Sequence, residues 1–198
     1  SIKAQQGDDM SKISLTVNHE ITFKGRRKSF DIRLFAGTFT NNSNIDRDYR
    51  FRTSGQTGTQ DYLYDNIYLG RTEYEGVLSQ QFTETDGAFK VHTPYGQTSE
   101  WIVALNLKSS LPAGKIPIRL FADIGTCSEG YGSLEPKFIY DAGINLSLIR
   151  DIFEIYFPLS MSKILKDNLI INNVSFKESV RFTFNLNLLD PFAVIKTF

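Results

Sequence analysis

The sequence predicts an all-β protein, an antiparallel transmembrane β-barrel with at least seven strands, and three observations support this fold class. Seven segments alternate apolar and polar residues over about nine to eleven residues, the length that crosses a bilayer at a tilt. The connections between them alternate short and long, as at the two ends of a membrane barrel. Aromatic side chains gather near the segment ends, where interfacial girdles lie. A soluble β-sandwich would also alternate, but its strands are shorter and its loops are not sorted in this way.

The first two predicted strands lie at about 13–24 and 30–36. In the first, the odd positions from Ile13 to Phe23 are mostly large and apolar, while the even positions carry hydroxyls, an amide and a carboxylate. Successive strand residues point to opposite faces, so this segment has one apolar and one polar side. The stretch 40–96 that follows is too polar for a wall and too aromatic for a flexible linker. It is predicted to fold as a long, structured extracellular loop.

Five further segments repeat the alternation after this loop. They are predicted strands at 101–108, 116–124, 137–148, 153–159 and 180–188. A short turn joins the first of them to the second and the third to the fourth, and longer loops make the other connections. Pro191 ends the series because proline cannot donate a hydrogen bond to a ladder. The whole chain, 1–198, is therefore expected to form a single barrel domain or the C-terminal part of one.

The alternation assigns the side chains of the wall to two faces. The side chains predicted to face lipid include Leu105, Leu120, Ile144 and Phe184. Those predicted to face the lumen include Asp31, Arg33, Arg119, Asp123 and Arg181. Charges of both signs could line a water-filled lumen or pair with one another in a plugged one, and mutually paired interior charges are the favoured interpretation. Arginine should accordingly be costly at Leu105 and tolerated at the inward-facing Asn106.

Composition excludes several classes of protein. The chain carries 22 Lys and Arg against 22 Asp and Glu, so no net charge attracts a polyanion and no nucleic-acid partner is expected. The sequence contains no apolar run long enough for a membrane-spanning helix, and residues 1–10 lack the features of a signal peptide. The single cysteine, Cys127, excludes an internal disulfide and is interpreted as a small, half-buried residue.

Motifs that would carry chemistry are missing from the sequence. The two histidines lie in unrelated segments, and neither belongs to a His-Glu-x-x-His motif, so no zinc site is predicted. His19 falls on the apolar face of the first strand, and His92 falls in the long loop, where it is expected to be solvated. Neither a nucleophile elbow nor a phosphate-binding glycine loop occurs. We therefore expect no catalytic activity, no cofactor and no bound metal.

Several stretches resemble known outer-membrane proteins. Two adjoining ones are Tyr140-Asp141-Ala142-Gly143-Ile144-Asn145-Leu146 and Phe153-Glu154-Ile155-Tyr156-Phe157-Pro158-Leu159. They resemble the last part of surface-antigen type barrels, in which a glycine-containing strand precedes one that ends in an aromatic residue and proline. Residues 61–71 and 120–125 resemble more narrowly the C-terminal barrel of certain outer-membrane zinc-metallopeptidase-like proteins of Gram-negative bacteria. The resemblance implies an outer-membrane location and a possible peptidase domain upstream.

The chain departs from that pattern in two respects. Outer-membrane barrels commonly finish on a terminal aromatic residue in the last strand, but Phe198 lies well beyond Pro191. The zinc motif of the peptidases is also absent from this sequence. Any catalytic domain would therefore have to lie upstream.

Two functions of different classes fit these features. The first is an outer-membrane β-barrel that anchors, or forms part of, a larger outer-membrane complex or a peptidase-linked protein. Its partners would be outer-membrane lipid and an upstream segment or partner chain that completes the barrel. The alternative is a soluble all-β binding module that uses the aromatic loop 40–96 as its contact surface. A third possibility is a fragment of an enzyme whose catalytic domain lies upstream.

The strand count predicts that the barrel is incomplete. Single-chain bacterial barrels have an even number of strands and both termini in the periplasm, and an unpaired strand edge is costly in hydrocarbon. If the short turns are periplasmic, seven strands place the start of the first strand outside the cell. Residues 1–10 are then expected in an extracellular loop, and the chain would be the C-terminal part of a larger barrel or one of two pieces.

Overall fold

The computed structural model describes most of the chain. The described residues are 1–7, 10–23, 28–42, 45–111, 117–128 and 138–185. The strands are β1 (Ile2–Gln6), β2 (Met10–Thr22), β3 (Ser29–Asn42), β4 (Phe51–Arg52), β5 (Gln56–Thr57), β6 (Phe82–Thr83), β7 (Gln97–Thr98), β8 (Trp101–Ser110), β9 (Ile118–Cys127), β10 (Ile139–Ile149), β11 (Phe153–Met161) and β12 (Arg181–Phe184). The α-helices are α1 (Gly76–Ser79), α2 (Lys163–Ile171) and α3 (Phe176–Ser179), and short 3-10 turns lie at Arg47–Tyr49 and Gly58–Gln60.

One antiparallel sheet of eight strands dominates the structure, which confirms the all-β class. The strand order is β1-β2-β3-β8-β9-β10-β11-β12. Most strands of this sheet therefore pair with the next strand in the chain. The exception is β3, which pairs with β8 although a long connection that contains β4 to β7 separates them in the chain. That connection carries two small two-stranded sheets, β4 with β7 and β5 with β6. The large sheet is an up-and-down meander, the arrangement that consecutive hairpins produce.

The predicted strands are all found, although their bounds differ. β2 and β3 are longer than predicted: their antiparallel ladder extends from Met10 opposite Asn42 to Thr22 opposite Ser29, with one register shift between Ser11 and Lys12. The residues at 40–42, which were assigned to the loop, thus belong to β3. The second half of the predicted last strand, residues 186–188, lies outside the described residues, as do Pro191 and Phe198.

The N-terminal segment corrects one expectation. Residues 1–10 were predicted to be loop, but Ile2–Gln6 forms β1, which pairs with β2 so that Ile2 lies opposite Leu15. The segment is only five residues long and only Ile2 and Ala4 mark its apolar face, so the alternation is too short to detect. The described sheet therefore has eight strands, one more than the seven visible in the sequence, and the incompleteness of the barrel stays a prediction.

The sheet is strongly curved. Lys108 Nζ on β8 lies 2.8 Å from Glu154 Oε2 on β11, three strand positions away. In a flat sheet these strands would be about 14 Å apart, beyond the reach of an ion pair between the two side chains. Arg150, in the turn between β10 and β11, also pairs with Glu20 on β2. The polar face of the sheet is therefore concave.

The long connection between β3 and β8 folds over this concave face. We call its residues 45–100 the inner segment. Its Phe51, Phe82 and Phe89 are each at most 1% exposed. Phe51 packs edge-on against Phe35 of β3, and Phe82 packs in the same way against Tyr156 of β11. The inner segment is thus structured and packed against the sheet, and the extracellular location of the predicted loop 40–96 stays a prediction.

A helical connection covers one end of the sheet. α2 and α3 lie between β11 and β12, and Leu165 of α2 is fully buried in one core cluster with Phe89 and Ile102. In the part of the chain that the structure describes, none of the helices has the length and apolar character that a membrane span requires.

Candidate functional site: the buried polar face

A row of polar side chains crosses four neighbouring strands on the concave face. Arg33, Asn106, Asp123 and Asp141 are direct cross-strand neighbours on β3, β8, β9 and β10. Asn106 Oδ1 accepts a hydrogen bond from Arg33 Nη1 at 2.7 Å. Its Nδ2 donates to Asp123 Oδ1 and to the carbonyl oxygen of Gly87, each at 2.8 Å. The row is therefore linked both along the sheet and to the inner segment.

The inner segment supplies the cation that this row needs. Lys90 is 2% exposed, and its Nζ lies 3.1 Å from Asp123 Oδ1. The backbone N–H groups of Lys90 and Val91 donate to Asp141 Oδ2 at 2.9 and 2.8 Å. Two carboxylates directly opposite each other on adjacent strands would repel. Lys90 and these two N–H groups offset that repulsion and hold residues 87–91 against the sheet.

A second cluster of charges lies beside the first. Lys108 Nζ contacts Glu154 at 2.8 Å and Glu84 of the inner segment at 3.7 Å. The Tyr156 hydroxyl lies 2.5 Å from Glu154 Oε2 and donates to Glu84 Oε1 at 2.9 Å. Lys90 Nζ also lies 3.6 Å from Glu84. Glu84 thus joins the two clusters.

Glu84 remains ionised to unusually low pH. Its side chain is 32% exposed, so it lies at the edge of the buried network. Partial burial raises the pKa of its carboxyl, but the ammonium groups of Lys108 and Lys90 outweigh this effect and hold the pKa well below its usual range. The Tyr156 hydroxyl and Arg33 act in the same direction.

The structure places all the predicted lumen-facing residues on the concave face. These residues are Asp31, Arg33, Arg119, Asp123 and Arg181. Arg119 is 4% exposed and pairs with Asp31, and its Nη1 lies 3.8 Å from Glu154 Oε1. Asp31, Arg119 and Asp123 therefore have partners of opposite charge, whereas the Nη groups of Arg181 have no hydrogen-bond partner among the described residues. That this space is the lumen of a barrel stays a prediction.

The convex face of the sheet is apolar and exposed. Ten of its large side chains are each 39–48% exposed, namely Ile13, Leu15, Val17, Ile21, Leu34, Trp101, Val103, Leu120, Ile124 and Tyr140. The predicted lipid-facing residues Leu105, Leu120, Ile144 and Phe184 all lie on this face. Leu120 is exposed and the other three are half-buried. Their contact with lipid stays a prediction.

The residues that sequence analysis set aside are also located. His19 lies on the convex face opposite Ile32 and is exposed, and His92 is exposed as expected. Cys127 is more buried than expected, at 7%, because it belongs to the apolar core cluster around Phe89. Among the described residues, no three His, Cys, Asp or Glu side chains are placed to hold a metal ion.

Sequence analysis missed the residues that the inner segment contributes. Lys90 and Glu84 were assigned only to a polar loop. A signal was present, because Lys90 lies between Phe89 and Val91 in a short apolar stretch that is unusual for a solvated loop. Such a stretch indicates burial, but it does not identify the sheet face that covers it.

Comparison with protein-family models, curated proteins and solved structures finds no match for this chain. The resemblance to surface-antigen barrels therefore stays a prediction. The fold and the site define the class of the protein: a curved antiparallel sheet with a buried charged face and an exposed apolar face.

Proposed function

We propose that this chain is the wall of an outer-membrane β-barrel whose interior is plugged by its own inner segment, and that it serves as an anchor within a larger outer-membrane protein or complex. One observation carries the proposal. The apolar face of the sheet is exposed and the charged face is buried, the reverse of what a soluble antiparallel sheet requires. Surrounding hydrocarbon would account for this arrangement, because the exposed apolar face would then contact lipid.

The extent of the apolar face supports a bilayer as its surroundings. Soluble proteins rarely expose a contiguous apolar patch larger than a few hundred Å². Here the exposed side chains extend over five adjacent strands, from β2 to β10. β8 and β9 each have ten residues. At about 3.3 Å per residue and a tilt near 45°, such strands rise about 23 Å, close to the apolar band of known membrane barrels.

The packing of the inner segment favours an anchor over an open pore. Phe51, Phe82 and Phe89 occupy the concave face. The buried ion pair of Lys90 with Asp123 fixes the segment to β9, and the backbone N–H of Lys90 fixes it to Asp141 on β10. Breaking a buried ion pair is strongly unfavourable. The inner segment is therefore expected to stay packed on the concave face unless energy from outside the protein displaces it.

The alternative of a soluble binding module relies on the aromatic side chains of loop 40–96. Three of the phenylalanines in this loop are buried against the sheet and cannot contact a partner. Tyr49, Tyr64 and Tyr74 are exposed, at 37%, 74% and 83%, and would have to form the contact surface. This alternative leaves the apolar convex face without a role.

Trp101 gives a direct test of the proposal. It is the single tryptophan of the chain, lies near one end of β8 and is 42% exposed on the convex face. The protein would be reconstituted into phosphatidylcholine vesicles that contain lipids brominated either near the headgroup or deep in the acyl chain. We expect quenching of Trp101 that is strongest for bromine near the headgroup, because the ends of the strands lie at the interface.

Two variants that lack Trp101 serve as matched controls. Trp101→Phe with Leu105→Trp should be quenched best by deep bromine, whereas Trp101→Phe with Asn18→Trp, on the concave face, should be quenched by aqueous iodide and by neither lipid. A chain that stays in solution without detergent and shows no lipid quenching at either convex position would exclude the membrane proposal.

A further inference from the structure

A cavity of about 790 Å³ lies between the inner segment, α3 and the start of β12. Its lining includes Thr57, Thr59, Tyr74, His92 and Arg181. The volume lies within the range of small-molecule sites in proteins. The cavity is separate from the clusters around Lys90 and Glu84, since it shares none of their residues.

Arg181 distinguishes this cavity from a simple surface cleft. Arg181 is only 2% exposed, and its guanidinium carbon lies 4.8 Å from the ring centroid of Phe82. Nε donates to the carbonyl oxygen of Gln80 at 3.0 Å. Within the described residues, however, Nη1 and Nη2 have no hydrogen-bond partner. Arg119, by contrast, is paired with Asp31 on the same face of the sheet.

Burying the two Nη groups without a hydrogen-bond partner is unfavourable, so an anion that reaches them gains charge-assisted hydrogen bonds. The planar pair of Nη groups matches the two oxygens of a carboxylate. Phosphate is the other common partner of arginine, and the remaining charges of the cavity decide between the two.

The other charged side chains that line the cavity are mostly acidic. Lys177 is opposed by Glu73, Glu75 and Glu178. These glutamates disfavour a doubly charged phosphate more than a singly charged carboxylate. Glu73 and Glu75 are exposed, and they offer a place for a positive group at the other end of the same ligand. The charges therefore suit a zwitterion.

We propose that this cavity binds a free amino acid or a short peptide, with its carboxylate on Arg181 and its ammonium group towards Glu73 and Glu75. The site does not depend on the membrane proposal, because every residue it uses is contributed by the inner segment, α3 or the start of β12. It adds ligand recognition to a chain that otherwise acts as an anchor.

The test is isothermal titration of the purified full chain with trialanine, trialanine C-terminal amide, N-acetyl-trialanine and inorganic phosphate. We expect saturable binding of trialanine, at least tenfold weaker binding of the amide, and a smaller loss for the acetylated peptide. Equal binding of the acid and the amide, tighter binding of phosphate, or no saturable binding of trialanine would overturn the proposal. This comparison needs no variant, so it decides the question even if substitutions impair folding.

Variants then assign the carboxylate site. Arg181→Met should abolish trialanine binding and change the unfolding midpoint little, because the lost Nε hydrogen bond to Gln80 is offset by removal of two buried Nη groups that have no partner among the described residues. Arg181→Lys should weaken binding. Lys177→Met, which removes an exposed cation from the same cavity, is the matched control and should change the affinity less than threefold. Full affinity in Arg181→Met, or an equal loss in Lys177→Met, would show that Arg181 does not recognise the ligand.

Discussion

A pair of substitutions in β2 tests which solvent the convex face meets. Val17 and Asn18 are neighbours near the middle of this strand and both are exposed, but they lie on opposite faces. Val17 lies on the convex face opposite Leu34 and is 47% exposed. Asn18 lies on the concave face opposite Arg33. Arginine at each position thus places the same charge on the two sides of one strand.

The expected cost at Val17 depends on the surrounding medium. If this residue lies near the bilayer midplane, Val17→Arg should destabilise the fold by about 2–4 kcal/mol. This cost corresponds to about a 30- to 700-fold change in the unfolding equilibrium. In water, a substitution at a half-exposed surface valine should stay within about 0.5 kcal/mol. The cost of Val17→Arg expected in lipid therefore does not overlap with the cost expected in water.

Asn18→Arg is the matched control. Asn18 lines a cavity of about 470 Å³ together with the carboxylates of Glu20 and Asp31, which can accept the new cation. Arg33, directly opposite, should limit the gain, so we expect a net cost below about 1 kcal/mol. Asn106 cannot serve as this control, because it is 7% exposed and bonded to Arg33 and Asp123. The structure therefore predicts a substantial cost for Asn106→Arg, in place of the low cost expected from the sequence.

The assay is urea unfolding from lipid vesicles, followed by Trp101 fluorescence. A lowered midpoint with an unchanged slope would show a loss of stability without a change in the unfolding transition. If Val17→Arg and Asn18→Arg unfold at the same urea concentration as the natural chain, the convex face does not contact hydrocarbon.

Two further predictions concern the buried network. Lys90→Met removes the cation beside the 2% exposed Asp123 and should destabilise the fold by about 3–5 kcal/mol in the same urea assay. The control, Lys163→Met at an exposed position of α2, should cost under about 0.5 kcal/mol. Equal unfolding midpoints for the two variants would contradict the role of Lys90. Because the folded pKa of Glu84 lies below its ordinary value of 4.5, its stabilising effect is complete above that pH and is lost as the pH falls further. Hydrogen exchange of residues 84–91 should therefore accelerate progressively as the pH falls below 4.5. Glu84→Gln should speed this exchange at pH 7 and flatten its dependence on pH below 4.5. An unchanged profile would show that Glu84 does not hold the segment.

The strands of the wall could be predicted from sequence because each repeats one physical pattern over many residues. β2, β8, β9 and β10 alternate for ten residues or more, so the assignment of faces was secure. β1 has only five residues and offers too few alternations. The packing of the inner segment was not predictable, since its two-residue strands have no period and its buried phenylalanines are irregularly spaced.

The polar row shows the same limit at the level of the site. Alternation placed Arg33 and Asp123 on one face, but it did not show that Lys90 would reach Asp123. Lys90 precedes Asp123 by 33 residues, and the contact depends on how a long connection folds back. The local sequence pattern does not predict that the inner segment folds back over the sheet. It also does not predict the curvature that brings Lys108 to Glu154.

The neighbouring positions of β3 and β8 in the sheet have a consequence for the order of folding. These strands pair from Phe30 opposite Ser109 to Thr38 opposite Trp101, although the whole inner segment separates them in the chain. The hairpins on either side, β1 to β3 and β8 to β11, need only local contacts and can form early. Joining them requires closure of a long loop, whose entropic cost rises only slowly with its length but must be met before the ladder forms. Because the connecting loop is the inner segment that packs on the concave face, the slow joining of the two halves and the packing of that face should be one kinetic event.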